Sequence, residues 1–547
     1  MKKVKTYFFM LMVALWGCSS PETESNNPDE NGKDPETELP DNSQEPDLGN
    51  YISDYEHNLN VVYFVPSDID PLDNYHERIS GIMTFMQKWY KDEMTRYGIN
   101  DKTFGLLKSE KDPSYVKVIL VNGNHGQEYY PYEGGGGKAG EEIKQYFSEN
   151  PGESSGAHSI VFLPSREGDN GWDAGGVPFY GIGKWCYALD YTNFDMKYWQ
   201  DGSQQGNSLW IGGTIHELGH ALNLPHNKHQ ATDNWTSMMS WGNHEFNDNP
   251  DGVHLTFASA LILNNNQVMN KVGSMPFYEQ TPSLNPISIR LFADAEKLYF
   301  RAKFETDIPV NGFIAYNDPK TSSSDADYNA VTWASRNIIN GDSISLDMPL
   351  SGIDGDFRQY PFDLRLRFLH ENGNFSVWNY SYEFVDGKPD IDVELKEVTT
   401  LSKDNWEIVQ VSSEELNGEG SENGAAKYLI DGDSNTFWHS QWQGAQPGYP
   451  HHFTIDLGAV ETVKGFLFNQ RSNKFNGRAK DIEIEISDDA VNWTKIQSGT
   501  VGSSTVETLD LNESQSFRYF KINILTGHDN GSGEDIFFTH LAEISAY

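Results

Sequence analysis

The chain has 547 residues, and at roughly 150 residues per domain that length points to three or four folded units. Its 40 Lys and Arg against 80 Asp and Glu give a formal net charge of −40, which excludes sequence-independent nucleic-acid binding because that needs a cationic surface. A hydrophobic fraction of 37% is low, yet 13% aromatics exclude a chain disordered throughout and, with 49 Gly, suggest a β-rich protein with many turns.

Lys2, Lys3 and Lys5 precede an apolar run from Tyr7 to Trp16, and Gly17-Cys18 follow, which is the order of a secretory signal. Ten residues are too few to span a bilayer, which needs about 20. Leu15-Trp16-Gly17-Cys18 resembles a bacterial lipobox, with Trp16 where a small residue is usual. The resemblance implies a signal peptide over 1–17, lipid on Cys18, and an outer-membrane, cell-surface lipoprotein of a Gram-negative bacterium, joined to the membrane through its lipid alone. Cys186 then lacks a partner and is expected to be a buried small hydrophobe. Residues 19–50 hold ten acidic side chains, one Lys and five Pro, with Leu39 and Leu48 the only large apolar residues. Residues 18–50 are therefore expected to form an acidic disordered tether. Acidic residues after the cysteine also resemble the surface-export signals of Bacteroides-type lipoproteins.

Val61 to Val65, stopped by Pro66, predicts a strand. Ile79, Ile82, Met83, Met86, Tyr90, Met94 and Tyr97 recur at three and four, predicting a helix from His76 to Tyr97 that Gly98 ends. Tyr115–Val121 and Ser159–Leu163 suit buried strands, and Gly134–Gly137 reads as a flexible loop. Helix, strands and a second helix predict an α+β domain over 51–280. From 281 to 395 the pattern alternates, as in Leu298, Phe300, Ala302 and Phe304, then Leu364, Leu366 and Phe368. With turns such as Glu371-Asn-Gly-Asn374 this suits an immunoglobulin-like or fibronectin-like β-sandwich, and the absence of any chemical constellation suggests a spacer. Val385-Asp-Gly-Lys-Pro389 reads as a linker, and 400–547 as a second sandwich.

Thr214-Ile-His-Glu-Leu-Gly-His-Ala-Leu-Asn-Leu-Pro-His226 carries the chemistry. His216 and His220, four apart on a helix, can reach one ion, and Glu217 flanks the same face. Three protein ligands and an open position define a catalytic zinc site. A continuing helix would turn His226 about 240° away from His220, so the helix must stop between them. Asn223 tolerates the left-handed conformation that ends a helix, and Pro225 disfavours helical geometry at Leu224. His226 is thus the expected third ligand, with Glu245 the rival. His125, His158, His229, His244 and His254 are read as ordinary surface or core residues.

The segment resembles the metzincin zinc metallopeptidases, whose pattern HExxHxxGxxH is followed by a Met-turn. Thr236-Ser-Met-Met-Ser-Trp-Gly242 resembles that turn, with Met239 as the methionine beneath the zinc, and Leu255–Ala260 resembles the family's C-terminal helix. Asn223 replaces the usual Gly. Trp241 stands where some members carry a Tyr near the oxyanion, leaving that role without an owner. The resemblance implies a zinc-polarised carbonyl and an acidified water whose proton Glu217 accepts and passes to the leaving amine.

Ala426–Ser440, Phe453–Gly458, Arg478–Glu483, Ser487–Trp493 and Ala542–Ile544 come in the order of a coagulation factor 5/8 type C, or discoidin, domain, and resemble it without its bracketing cysteines. This is more similar to family 32 carbohydrate-binding modules. The resemblance implies a jelly roll with a structural Ca²⁺ held by Asp431, Glu543 and Thr436 and by carbonyls of Tyr428, Asp433 and Ala542. It also implies a glycan face at His439, Trp442, Asn469 and Arg471, while Trp438 is expected in the core.

These readings give a multidomain fold, an α+β zincin-like domain followed by two β-sandwiches. The expected function is that of a monomeric surface metalloendopeptidase cutting glycosylated, mucin-type proteins and holding them by a glycan-binding module. The rivals are an adhesin with an idle zinc domain and a cell-wall peptide amidase.

Overall fold

The computed structural model describes residues 47–547 apart from 169–170, 201–205, 272–274, 322–326 and 532. The expected signal peptide, Cys18 and the tether up to residue 46 lie outside the described residues.

The run Asn60–Val65 is buried at all six positions, as a strand covered on both faces must be. It lies in a five-stranded sheet ordered Val118–Asn122, Asn60–Val65, Ser159–Pro164, Trp185–Asp190 and Tyr180–Ile182. All neighbours are parallel except Tyr180–Ile182, which runs antiparallel at the edge. The helix Tyr75–Arg96 packs Ile79, Ile82, Met83, Met86, Tyr90 and Met94 into this core, and Cys186 is buried beside them. The expected strand Tyr115–Val121 starts only at Val118, because Tyr115 closes a turn on Asp112.

Gly134–Gly137 is not a loop. A helix spans Gly135–Glu149, and two of its glycines are contact points with tyrosine rings: a Cβ on Gly136 would stand 2.7 Å from the Tyr180 hydroxyl, and one on Gly140 would stand 2.6 Å from that of Tyr187. Poor helix formers are tolerated there because the helix must approach those rings closely.

The central region forms two antiparallel four-stranded sheets packed on a second core. One is ordered Ser343–Pro349, Lys297–Thr306, Leu284–Ala293 and Asp392–Leu395, the other Val331–Ser335, Val310–Pro319, Phe362–His370 and Phe375–Tyr382. Val385–Pro389 corrects the linker reading. Phe384–Val385 and Lys388–Pro389 pair across Asp386 (φ 51°) and Gly387 (φ 79°), a two-residue Asp-Gly hairpin, and Asp392–Leu395 then returns to the sheet.

A small cluster of Ala258, Leu261, Ile314, Tyr316, Ala330 and Leu369 joins the helix Phe257–Asn264 to this sandwich. A third core lies within a six-stranded sheet in which His451–Asn469 and Val506–Ile524 are the long central strands.

Candidate active site

Ile211, Ile215, Leu218 and Ala221 bury one face of the helix Asn207–Ala221 in the first core and so fix its rotation. His216 and His220 then stand one turn apart. The helix ends as its sequence predicts: Asn223 has φ 73°, its N–H donates to the His220 carbonyl (2.9 Å), and the Leu224 N–H donates to that of Gly219 (2.9 Å). The reversed chain brings His226 back. The three Nε2 atoms lie 3.2 Å (His216–His220), 3.3 Å (His216–His226) and 3.0 Å (His220–His226) apart. Nitrogens bonded at about 2.0–2.1 Å to one tetrahedral ion stand about 3.3–3.4 Å from each other, so this donor set fits zinc.

The other ring nitrogens are engaged. His216 Nδ1 meets the Met238 carbonyl at 2.7 Å and His220 Nδ1 the Leu224 carbonyl at 2.8 Å. Each carbonyl needs an Nδ1 proton, which leaves Nε2 as the free lone pair. Burial, reinforced by neighbouring imidazoles, pushes His216 down to about 3 and His220 down to about 4, so both stay neutral ligands. Met239 sits beneath the helix, where a Cβ at Gly219 would meet its sulfur at 2.5 Å. Glu245 lies elsewhere, accepting from the Thr236 hydroxyl (2.7 Å). Among the described residues His216, His220 and His226 are the one acid, thiol or imidazole cluster able to converge on an ion. His158 is engaged with the Ala221 carbonyl (2.6 Å) and Tyr278, and His254 with Glu93.

Glu217 is pushed up to about 7 by burial, against a hydrogen bond from the Gly181 backbone of the antiparallel edge strand. Burial raises the phenols of Tyr132 and Tyr328, and the Glu217 carboxylate raises both further. Tyr328 was not foreseen. It belongs to the central region read as a spacer, yet its ring stacks on His226 with centroids 3.7 Å apart and stands 5.1 Å from the exposed Trp241. No local motif marks it, and it lies about a hundred residues after His226.

In the C-terminal region Trp438 is fully buried, as expected. Arg471 pairs with Glu419 (3.3 Å) and covers the Phe437 ring at 3.8 Å, while half-buried Trp442 donates from Nε1 to Glu419 (3.0 Å). His439, only 4% exposed, lies below with Nε2 3.8 Å from Glu419. Asn469 instead lines a cavity with Asn285 and Ser434. Glu419 and Glu415 were missed. Glu415 accepts backbone N–H bonds from Asn417, Gly418, Trp442 and Gln443, which hold its carboxyl down at about 2 against the effect of burial. Thr436 donates to Asp431 (2.8 Å) and to the Asp433 carbonyl (2.9 Å), and Glu543 accepts from the Gly432 N–H (2.5 Å). The ammonium of Lys403, not anticipated, lies against Glu543.

Residues 408–536 match the F5/8 type C domain family, so the chain ends in a discoidin-like domain. Over 136 residues the chain is 34% identical to a sialidase of Micromonospora viridifaciens, 24% of this chain and 21% of the relative, and thus spans about a fifth of that protein's length. The crystal structure of wild-type OgpA from Akkermansia muciniphila is similar at 29% identity with a TM-score of 0.57, covering 62% of this chain and 96% of that one. Catalytically inactive OgpA in complex with an O-glycopeptide substrate, glycodrosocin, is similar at 28% identity, with a TM-score of 0.57 and the same coverage.

Proposed function

We propose that the chain is a cell-surface zinc metalloendopeptidase that cleaves O-glycosylated proteins, held to a Gram-negative outer membrane through Cys18. The observation that carries this reading is the convergence of three imidazole nitrogens beside Glu217, in a chain similar to a protein whose substrate is an O-glycopeptide. In this reading residues 51–280 form the catalytic domain, 281–395 the sandwich beside it and 400–547 the glycan-binding module.

His216, His220 and His226 would hold the ion, and zinc bound there supplies Lewis acidity toward the scissile carbonyl and toward a water. Glu217 does the proton work. Beside the ion-binding nitrogens, its carboxylate is placed to accept a proton from the water and to return it to the leaving amine. Met238 and Leu224 keep the imidazoles oriented through their carbonyls. The Glu217→Gln variant is expected to retain one zinc per chain and to lose roughly 10²–10⁴-fold in cleavage rate. Mass spectrometry of a digested O-glycopeptide checks this, and full activity in the variant removes Glu217 from the mechanism.

In the C-terminal domain Trp442 and Arg471, gathered on Glu419, offer a ring and a planar donor to a sugar. Asp431, Thr436 and Glu543, with the Tyr428, Asp433 and Ala542 carbonyls, would hold Ca²⁺ once Lys403 leaves Glu543. Calorimetric titration of chelator-treated protein should then show tighter calcium binding for Lys403→Ala than for the wild type. No binding by either protein rejects the calcium site.

A further inference from the structure

Residues 327–330, which lead into the strand Val331–Ser335, deliver Tyr328 to the histidine cluster from the central sandwich. Several anchors hold it there. Asp327 adopts φ 68° and places its carboxylate 2.8 Å from Arg365, which also pairs with Asp318 (3.3 Å). The Ala330 N–H donates to the Asp327 carbonyl (2.9 Å) and closes the turn. From the other side the Lys228 N–H donates to the Ala330 carbonyl (2.7 Å), and the Ser240 hydroxyl donates to that of Tyr328 (3.0 Å). Ser240 belongs to the Met-turn and Lys228 lies two residues after His226. Residues 327–330 are therefore tied to the two segments that shape the metal centre, and a non-glycine residue is held in left-handed backbone to do it.

We propose that Tyr328 is a catalytic residue: its phenol O–H donates a hydrogen bond to the scissile carbonyl oxygen, and that bond strengthens as the oxygen gains charge. The inference rests on the peptidase reading. The ring lies nearly flat on His226, with planes 23° apart and centroids 3.7 Å apart, whereas the His216 ring is 6.4 Å away. That position is on a less buried part of the cluster, since His226 is part-exposed where His216 is buried. The Glu217 carboxylate adds to burial in raising the Tyr328 phenol, so the two groups stand within electrostatic reach of each other. The Met-turn offers no phenol of its own, since it presents Trp241, exposed and stacked on Tyr328. Tyr132 is the other phenol near Glu217, but it is 52% exposed and lacks comparable anchors among the hydrogen bonds described. A hydrogen bond that tightens only as charge develops lowers the barrier without tightening substrate binding. The active site is then built from two regions, and the sandwich cannot be removed without disabling it.

The test uses the full chain loaded with zinc, as wild type, Tyr328→Phe and Glu217→Gln, with glycodrosocin as substrate. Tyr328→Phe keeps the ring on His226, so it should keep its zinc affinity in chelator competition and its thermal midpoint. It should lose about 100-fold in kcat with KM changed by less than about threefold, the size seen when one oxyanion donor is removed. A phosphinic peptide that mimics the charged oxygen should bind it about 100-fold more weakly than it binds wild type, while glycodrosocin should bind Glu217→Gln and Glu217→Gln/Tyr328→Phe equally. Wild-type cleavage with an unchanged kcat and unchanged phosphinate affinity in Tyr328→Phe overturns the assignment of Tyr328 alone. Absence of cleavage by the wild type overturns the peptidase reading and this inference with it.

Discussion

At the scale of single residues, the proton affinities of the histidine cluster carry a measurable consequence. An imidazole in an unfolded chain takes up a proton near pH 6.5, whereas in the folded, metal-free protein His216 waits until about 3 and His220 until about 4. His158, buried against the Ala221 carbonyl, is likewise held down at about 4. Between pH 6.5 and 4 these histidines bind more protons in the unfolded chain than in the folded one, so the stability they contribute falls as pH drops through that window. Chelator-treated protein should lose thermal midpoint steadily from pH 6.5 to 4, and His216→Asn/His220→Asn should flatten that slope. An equal slope in both proteins contradicts the assignment. The residues of this cluster were legible because their logic is local: a left-handed Asn223, a proline two residues later and a fixed histidine spacing determine the turn by themselves. Tyr328 was illegible for the opposite reason. Its role depends on how two cores pack, which no run of neighbouring residues encodes.

At the scale of elements, the misread segments were those whose glycines have two meanings. Glycine in a loop supplies freedom, and glycine in the helix Gly135–Glu149 supplies the close approach to Tyr180 and Tyr187, so composition alone favoured the wrong one. The Asp386-Gly387 hairpin was taken for a linker because it lies beside a proline and between two regions of alternation. In the C-terminal domain the loops are ordered by Glu415, a buried carboxylate whose four backbone donors come from both the Asn417–Gly418 turn and the Trp442–Gln443 turn. Charge-assisted bonds of this kind contribute about 1.5–3 kcal/mol each. Glu415→Ala should therefore release Trp442 from its position and weaken glycan binding at least about tenfold, with the catalytic rate on a short peptide unchanged. A glycan array and a peptide assay on the same preparation measure both, and unaltered glycan binding would show that Trp442 is placed by its own packing.

At the scale of the whole molecule, three cores account for the described chain, and they are not independent. Ala258 and Leu261 pack against Ile314 and Tyr316 across the first and second regions, and Val506 of the C-terminal sheet joins the sandwich core. The acidic surplus is spread through the chain: residues 19–50 hold ten acids and one Lys, so most of the net −40 lies outside them. Such a charge opposes self-association and polyanion binding and leaves the chemistry to a few buried groups. The central claim, a zinc peptidase directed to O-glycosylated protein, is tested most directly by digesting one mucin-type substrate, glycosylated and enzymatically deglycosylated, with and without a zinc chelator, and reading the cut sites by mass spectrometry. Chelator-sensitive cuts confined to the glycosylated form and adjacent to glycan-bearing Ser or Thr are the predicted result. Intact substrate in every arm, or cuts that survive the chelator, would contradict it.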